Sequence, residues 1–262
     1  MKIPVPIVQN PGRSFGKVNE IYSCYRPIYP QQLFDTILMS VKGPYLDAVD
    51  LGAGTGISTR WLSTVFQRVT AIEPDKNMTK AGEFPQNVEI LNSSGETAKL
   101  KANTYQLVTS GNAFYWMDAK SVLNNISEWL EPDGTLAVFR YDFPKIHNRE
   151  IDDLINEHLY RYWDMYRHER LKDTDFSFRE ISGCSLFKNV AIERIPYFMK
   201  WDAEKLVGFL RSTSYVSKYE STLDNKKEYI EDLYKKIKFA AMDNCFIADM
   251  SLELILAENV KN

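Results

Sequence analysis

The amino-acid sequence predicts an α/β fold in which a doubly wound, mostly parallel sheet of seven strands carries helices on both faces. Two observations support this prediction. Short buried strand patterns alternate with helical patterns as far as Tyr141, and a glycine-rich turn, Gly52–Gly56, joins the first strand pattern to a helix. Strands that alternate with helices form parallel sheets with right-handed crossovers. Ligands bind such sheets at the carboxyl ends of the strands, where the strand order reverses.

Hydrophobic spacing and turn residues locate the elements of this sheet. Residues 15–42 predict two helical pieces, separated at Arg26-Pro27 and at Tyr29-Pro30 because proline cannot continue a helix. One helix follows the glycine turn, and another is predicted at 122–130. The predicted strands are 45–51, 69–73, 88–91, 105–110 and 135–139, with a turn at 131–134 before the last of them.

The alternation of strands and helices stops after Tyr141. Helices are predicted at 149–170, 202–213 and 224–243, and late strands around 190–201 and 246–257. We therefore predict that a helical cap is inserted after strand five. The predicted units are a core with N-terminal helices (1–144), a mainly helical cap with one late sheet strand (145–245), and a last strand that completes the core (246–262).

Composition and charge exclude several classes of protein. The chain has 262 residues, of which 44% are hydrophobic and 26% are charged. These proportions exclude a collagen, a long coiled coil and a wholly disordered chain. A net charge of −3 disfavours a nucleic-acid partner, because proteins that bind duplex DNA usually present a basic face.

The cysteines and the apolar segments indicate a compartment. The three cysteines, Cys24, Cys184 and Cys245, are far apart and belong to no Cys/His cluster, so we expect reduced thiols and no metal site. The first residues lack the apolar core of a signal peptide. No apolar stretch reaches the roughly 20 residues of a membrane helix. We expect a cytoplasmic protein without a membrane partner.

The glycine turn and a downstream acid predict a nucleoside site. Glu73 lies 19 residues beyond Gly54, at the end of the second strand, where a carboxylate can accept both hydroxyls of a ribose. This arrangement serves both NAD and S-adenosylmethionine. The glycine spacing favours S-adenosylmethionine, because Ile57 stands where a dinucleotide fingerprint has its third glycine. The Asp50 that precedes the turn favours the same cofactor.

Six short segments occur in one order along the chain. They are Tyr22–Pro30, Asp50–Gly56, Ile72–Asp75 followed by Met78, Ser94–Glu96, Ala113–Asp118 and Leu130–Leu136. Over residues 15–257 the chain resembles the class I S-adenosylmethionine-dependent methyltransferases, and among them the small-molecule group that includes trans-aconitate methyltransferase-like proteins. The resemblance implies a Rossmann-like sheet and methyl transfer from S-adenosylmethionine to a small organic acceptor, with S-adenosylhomocysteine as product. A carboxylate is one such acceptor.

The resemblance and the position of the turn assign residues to the cofactor. The set is Tyr22, Arg26, Asp50, Gly52, Ala53, Gly54, Thr55, Gly56, Glu73, Pro74, Met78, Ser94, Gly95, Glu96 and Asn112. Arg26 suits the cofactor's carboxylate, and Asn112 its amino-acid end. Gly95 stands where relatives have alanine, and we expect that change to be minor.

The predicted substrate residues follow strand four or belong to the cap. They are Tyr115, Trp116, His158, Tyr162 and Tyr215. Tyr115 stands where many relatives carry histidine. Since a phenol is a poor base at neutral pH, we expect Tyr115 to orient the acceptor rather than to deprotonate it. No catalytic residue and no metal ligand is assigned, and the cap is expected to close over the acceptor.

Three other functions compete with this prediction. A nucleic-acid or protein methyltransferase is disfavoured because Asn112–Tyr115 lacks the paired prolines common in amino-group enzymes. A dehydrogenase is disfavoured by the glycine spacing. A methyltransferase fold that binds the nucleoside without chemistry, as a binding or scaffold protein, stays open. The sequence predicts no oligomeric state.

Overall fold

The computed structural model describes residues 21–22, 24–242 and 244–260. The predictions for residues 1–20, Ser23, Asp243 and 261–262 concern residues outside this part. The strands are β1 (Asp47–Leu51), β2 (Arg68–Ile72), β3 (Val88–Leu91), β4 (Tyr105–Gly111), β5 (Leu130–Tyr141), β6 (Lys145–Ile146), β7 (Phe187–Ile195), β8 (Phe198–Trp201), β9 (Phe246–Asp249) and β10 (Leu252–Asn259).

Ten α-helices and three short irregular turns lie wholly within the described residues, and residues 21–22 and 24–25 are also helical. The helices are α1 (Gln31–Ser40), α2 (Ile57–Val65), α3 (Lys76–Ala81), α4 (Ala119–Trp129), α5 (Arg149–His158), α6 (Glu169–Lys172), α7 (Phe176–Ser182), α8 (Ala203–Arg211), α9 (Ser214–Glu220) and α10 (Lys226–Ala240). The turns are two of 3₁₀ type, Phe114–Trp116 and Asp164–Tyr166, and one π-helical turn, Leu159–Trp163.

The predicted doubly wound sheet is confirmed. Seven strands lie in the order β3-β2-β1-β4-β5-β10-β7. Strands β1 to β5 are parallel, and β10 runs antiparallel to both of its neighbours. The order reverses between β1 and β4, so the carboxyl ends of these two strands flank the crevice in which such sheets bind ligands.

Apolar side chains hold helices on both faces of the sheet. On one face, Ile37 of α1 and Leu62 of α2 belong to a cluster that extends to Leu206 of the cap. On the other face, Val122 of α4 packs in a cluster with Ile181 of α7. Because the same strands are covered on both sides, β1 is buried along its whole length, as expected for a central parallel strand.

The two late strands are placed differently from the prediction. The segment 190–201 divides at Pro196-Tyr197 into β7 of the main sheet and β8 of a second sheet, because proline cannot continue the ladder. The segment 246–257 divides in the same way into β9 and β10. Between them, the carboxylate of Asp249 accepts the backbone N–H of Ser251 and closes a turn. Strands β6, β9 and β8 form a small antiparallel sheet.

The prediction of one continuous cap helix over 149–170 is also wrong. The helix ends at His158, continues as the π-helical and 3₁₀ turns, and resumes as α6. The wide π-helical turn lets His158 and Trp163 reach the same hydroxyl, that of Tyr229, at 2.8 and 3.1 Å. His168 begins α6 because its Nδ1 accepts the backbone N–H of Arg170.

The predicted turn at 131–134 lies inside β5, where the register against β4 shifts between Tyr105 and Leu107. The other helices and strands lie within a few residues of their predicted bounds. Within the described ranges, no helix is both long and apolar enough to cross a membrane.

Candidate active site

The glycine turn after β1 leaves an open cradle at the carboxyl edge of the sheet. Gly52, Gly54 and Gly56 all have positive φ, at 74°, 56° and 82°, a backbone region that favours glycine. A side chain at Gly52 would overlap Ala113, which follows β4. At Gly54, by contrast, an added Cβ would meet only the methyl carbon of Met78, at 3.4 Å. A ligand can therefore approach the backbone of the turn at Gly54.

Glu73 is held rigidly beside this turn. Its Oε2 accepts the N–H of Gly54 and its Oε1 accepts the N–H of Asp75, both at 2.9 Å. The side chain is only 9% exposed, and burial raises the pKa of Glu73, while the two backbone N–H groups oppose that shift. Each carboxylate oxygen has a further acceptor site, so Glu73 fits a pair of ribose hydroxyls.

Asp50 lies behind the turn, away from the cradle. It is fully buried, and its oxygens accept the hydroxyls of Ser58, Thr59 and Thr109 at 2.7, 2.5 and 2.9 Å. This predicted cofactor residue therefore joins the start of α2 to β4 and supports the turn from inside. In the same turn, the hydroxyl of Thr55 is buried without a hydrogen-bond partner among the described residues, so it has hydrogen-bonding capacity for a polar ligand.

The segment Ser94–Glu96 flanks the cradle on the side of β3. The carbonyls of Gly95 and Glu96 both accept from the side-chain amide of Asn125, and Glu96 accepts the N–H of Asp118. A Cβ at Gly95 would lie 2.7 Å from a methyl carbon of Val122. An alanine at this position would therefore have to displace the side chain of Val122, while the backbone contact of Gly95 with the adenine stays a prediction.

Asn112 ends β4 next to the cradle with a positive φ of 53°. Its amide nitrogen donates to the hydroxyl of Tyr29 at 2.9 Å, and its amide oxygen accepts the N–H of Tyr141 at 3.3 Å. A side-chain amide has four hydrogen-bonding sites, so two are left at this position. Asn112 both shapes the crevice and keeps capacity for a ligand.

Arg26 and Tyr22 meet beyond the end of β5. The guanidinium of Arg26 lies 4.8 Å from the ring centre of Tyr22, and it donates to the hydroxyl of Tyr141 and the carbonyl of Ser212 at 3.1 and 3.2 Å. Its Nε is buried without a partner in the described part of the chain. Burial raises the pKa of Tyr141 to about 12, although Arg26 opposes that shift.

Tyr115 and Trp116 lie in the 3₁₀ turn after β4 and face different surroundings. Tyr115 is buried, and the guanidinium of Arg140 lies 5.3 Å from its ring centre. Burial raises the pKa of Tyr115 well above its usual value, against the opposing charges of Arg26 and Arg140. Trp116 is 47% exposed and packs edge-on against the ring of His168.

The predicted cap residues do not all reach this site. Tyr215 is buried, and its pKa is raised by burial against the nearby charge of Arg26. His158 instead bonds Tyr229 inside the cap, where burial lowers the pKa of His158. Tyr162 stacks on Tyr219 in the same aromatic cluster. Of the three, the structure brings Tyr215 to the arginine–tyrosine group and leaves His158 and Tyr162 within the cap.

Sequence reasoning missed two arginines. Arg170 of the cap donates to the carbonyls of Tyr115 and Met117 at 3.3 and 2.5 Å, and so fixes the turn that carries Tyr115. Arg140 lies within a strand whose preceding residues are apolar. A charged residue at such a position is a signal that points to a buried functional group.

Comparisons with known proteins agree with this geometry. Residues 49–138 match the family model of a methyltransferase domain. A protein of Dictyostelium discoideum assigned as a methyltransferase is 27% identical over 213 residues, which are 77% of this chain and 81% of that protein. Trans-aconitate 2-methyltransferase of Deinococcus radiodurans is 33% identical over 99 residues, 36% of this chain and 38% of that enzyme.

Solved structures share the fold. One from Anaeromyxobacter dehalogenans, assigned as a type II methyltransferase, superposes with a TM-score of 0.73 at 18% identity and covers 90% of this chain and 98% of its own. Apart from the Dictyostelium protein, the chain spans about half or less of the length of the curated relatives that it matches.

Proposed function

We propose that this chain, which matches the family model of a methyltransferase domain over residues 49–138, is a class I S-adenosylmethionine-dependent methyltransferase. Its acceptor is a small organic molecule, with a carboxylate as the favoured class. The observation that carries the proposal is the cap. Its Ser212 and Arg170 bond directly to Arg26 and to the backbone of Tyr115. The cap thus lies against the edge of the sheet where the acceptor would bind, and this favours a small molecule over a protein or nucleic acid.

The chain's residues fit the cofactor. Glu73 would accept the ribose hydroxyls, and the open backbone at Gly54 would lie along the amino-acid side. Ser94–Glu96 would flank the base. The unpartnered Nε of Arg26, beside Tyr22, would hold the carboxylate. When bound, S-adenosylmethionine supplies a methyl carbon to which the acceptor's lone pair bonds, while the carbon–sulfur electron pair stays on sulfur to give S-adenosylhomocysteine.

The protein's own contribution is alignment and the exclusion of water. Tyr115 keeps its proton at neutral pH, because the usual phenol pKa is about 10 and burial raises it further. It therefore acts as a hydrogen-bond donor and an aromatic wall. An acceptor that is already ionised, such as a carboxylate, loses no proton in the reaction and needs no base. This is why we assign no catalytic base.

Two measurements test this proposal together. Calorimetry with S-adenosylmethionine, S-adenosylhomocysteine and NAD should give binding of the first two only. An assay of S-adenosylhomocysteine release over carboxylic acids, amines, phenols and thiols should give turnover, largest for an acid. Binding of NAD in their place would contradict the cofactor assignment. Nucleoside binding without turnover of any acceptor would instead support a binding or scaffold protein.

A further inference from the structure

Strand β5 carries a buried arginine that the cofactor site does not use. Arg140 is only 7% exposed. Its Nη2 donates to the carboxylate of Asp142, but its Nε and Nη1 are buried without a hydrogen-bond partner in the described chain. A guanidinium presents five N–H groups, and buried donors of this kind are nearly always satisfied. Arg140 therefore has unused donors that a ligand would satisfy.

The position of Arg140 relates it to the acceptor. Its guanidinium lies against the ring of Tyr115, 5.3 Å from the ring centre. Tyr115 belongs to the turn that follows β4, and Ala113 of that segment packs on Gly52 of the glycine turn. One aromatic ring thus separates Arg140 from the segment that lines the cofactor cradle. An acceptor bound beside this segment would lie close to the ring of Tyr115 and to Arg140.

A second residue with an unpartnered polar atom lies on the neighbouring strand. Glu253 of β10 is the cross-strand partner of Arg140, and its Oε1 is also buried without a partner within the described residues. Burial raises the pKa of Glu253, with Arg140 opposing, so this carboxyl takes up a proton more readily than an exposed one. In that form it donates a hydrogen bond, as the nitrogens of Arg140 do.

We propose that Arg140, with Glu253 beside it, is the subsite that binds an anionic group of the acceptor other than the atom that is methylated. This inference rests on the proposed function and adds a residue that determines specificity. The acceptor class is then a di- or tricarboxylic acid, or an acid with a second ionised oxygen. Asp142 does not cancel the subsite, because it occupies only Nη2.

Binding to the product complex tests this without relying on turnover. The protein is saturated with S-adenosylhomocysteine and titrated with aliphatic and aromatic di- and tricarboxylic acids, and then with the matching monoamides. Wild type should prefer an acid over its amide. Arg140→Met should weaken binding of that acid by about 10- to 150-fold and leave the amide unchanged. Arg161→Met, which removes an exposed cap charge, should change neither.

Several results separate a failure of the proposed subsite from a failure of the proposed function. If wild type binds acids and amides equally, or binds no acid, or if Arg140→Met keeps the preference, the subsite is refuted. Acid binding that depends on Arg140, without methylated product, would support the subsite and contradict the proposed function. Should Arg140→Met fail to fold, Arg140→Lys gives the same readout, because it keeps the charge and loses the planar donors. Its acid preference should fall while its affinity for S-adenosylhomocysteine stays the same.

Discussion

The cofactor half and the acceptor half of the crevice differ in how their polar groups are satisfied. In the cofactor half, both oxygens of Glu73 and both oxygens of Asp50 accept hydrogen bonds from the protein itself. In the acceptor half, two nitrogens of Arg140 and one oxygen of Glu253 are buried without partners among the described residues. The two carboxylates of the cofactor half are thus held in place by the protein, whereas Arg140 and Glu253 keep hydrogen-bonding capacity for a ligand, as Thr55 and Arg26 do on the cofactor side.

The comparison also explains why the two halves would respond differently to substitution. Removing an acceptor in the cofactor half leaves protein donors without a hydrogen-bond partner, so stability and cofactor affinity should both fall. Removing Arg140 from the acceptor half breaks only its bond to Asp142, so stability should fall less. Four experiments test this difference, in order of decreasing expected effect.

Asp50→Ala should cost the most. Three hydroxyls would lose a fully buried carboxylate acceptor, and hydrogen bonds to a charged group are worth about 1.5–3 kcal/mol each, so we expect a loss of about 3 kcal/mol or more in the free energy of unfolding. Urea denaturation measures this. Asp118→Ala removes an exposed helix cap and should cost clearly less. Equal losses in the two variants would mean that Asp50 does not support the turn.

Glu73→Ala should act mainly on the cofactor. It removes both acceptors for the ribose, and the affinity for S-adenosylmethionine should fall by roughly 10- to 150-fold. Calorimetry measures the dissociation constant. Glu89→Ala, on the exposed strand β3, is the matched control and should bind normally. An unchanged dissociation constant in Glu73→Ala would reject the ribose assignment.

Tyr115→Phe should slow turnover only modestly, by about tenfold at most, since it removes one hydroxyl and keeps the ring. Tyr115→Ala should be slower, because the wall beside Arg140 is lost. The pH–rate profiles of wild type and Tyr115→Phe decide the role. A thousandfold loss in Tyr115→Phe, with disappearance of a basic-limb pKa, would make Tyr115 the catalytic base and overturn its orienting role.

The smallest effect concerns the cap and acidic pH. Burial lowers the pKa of His158 in the folded protein, so the unfolded chain binds the proton more readily. The stabilising contribution of neutral His158 is fully present above the usual histidine pKa of about 6.5, and it is lost as the pH falls through the folded value. The urea midpoint should therefore drop between about pH 7.5 and about pH 5.5.

His158→Gln should reduce this drop, whereas His147→Gln, at an exposed position, should leave it as in wild type. Native-state hydrogen exchange would show whether the loss is confined to α5 and α10, which carry the two partners His158 and Tyr229. A drop of the same size in His158→Gln would assign it to other groups.

Local patterns explain which parts of the molecule could be predicted. The strand β1, its glycine turn and Glu73 form one short stretch whose spacing is diagnostic, and each has the predicted place. Arg140 could not be assigned, because its neighbours Tyr115 and Glu253 come from distant parts of the chain. For each late segment the sequence predicts one strand where the structure has two. The hydrophobic pattern continues through Pro196 and Ser251, while the backbone changes sheet at both points.

The central position of β10 has a consequence for synthesis. Strands β1, β2, β4 and β5 can pair as soon as they leave the ribosome, but β10 lies between β5 and β7 and is made after both. Until Leu252–Asn259 emerge, the growing chain presents β5 as an unpaired apolar edge, the kind that associates with other chains. The nucleoside crevice can therefore assemble early on a nascent chain, while Glu253 reaches Arg140 only at the end of translation.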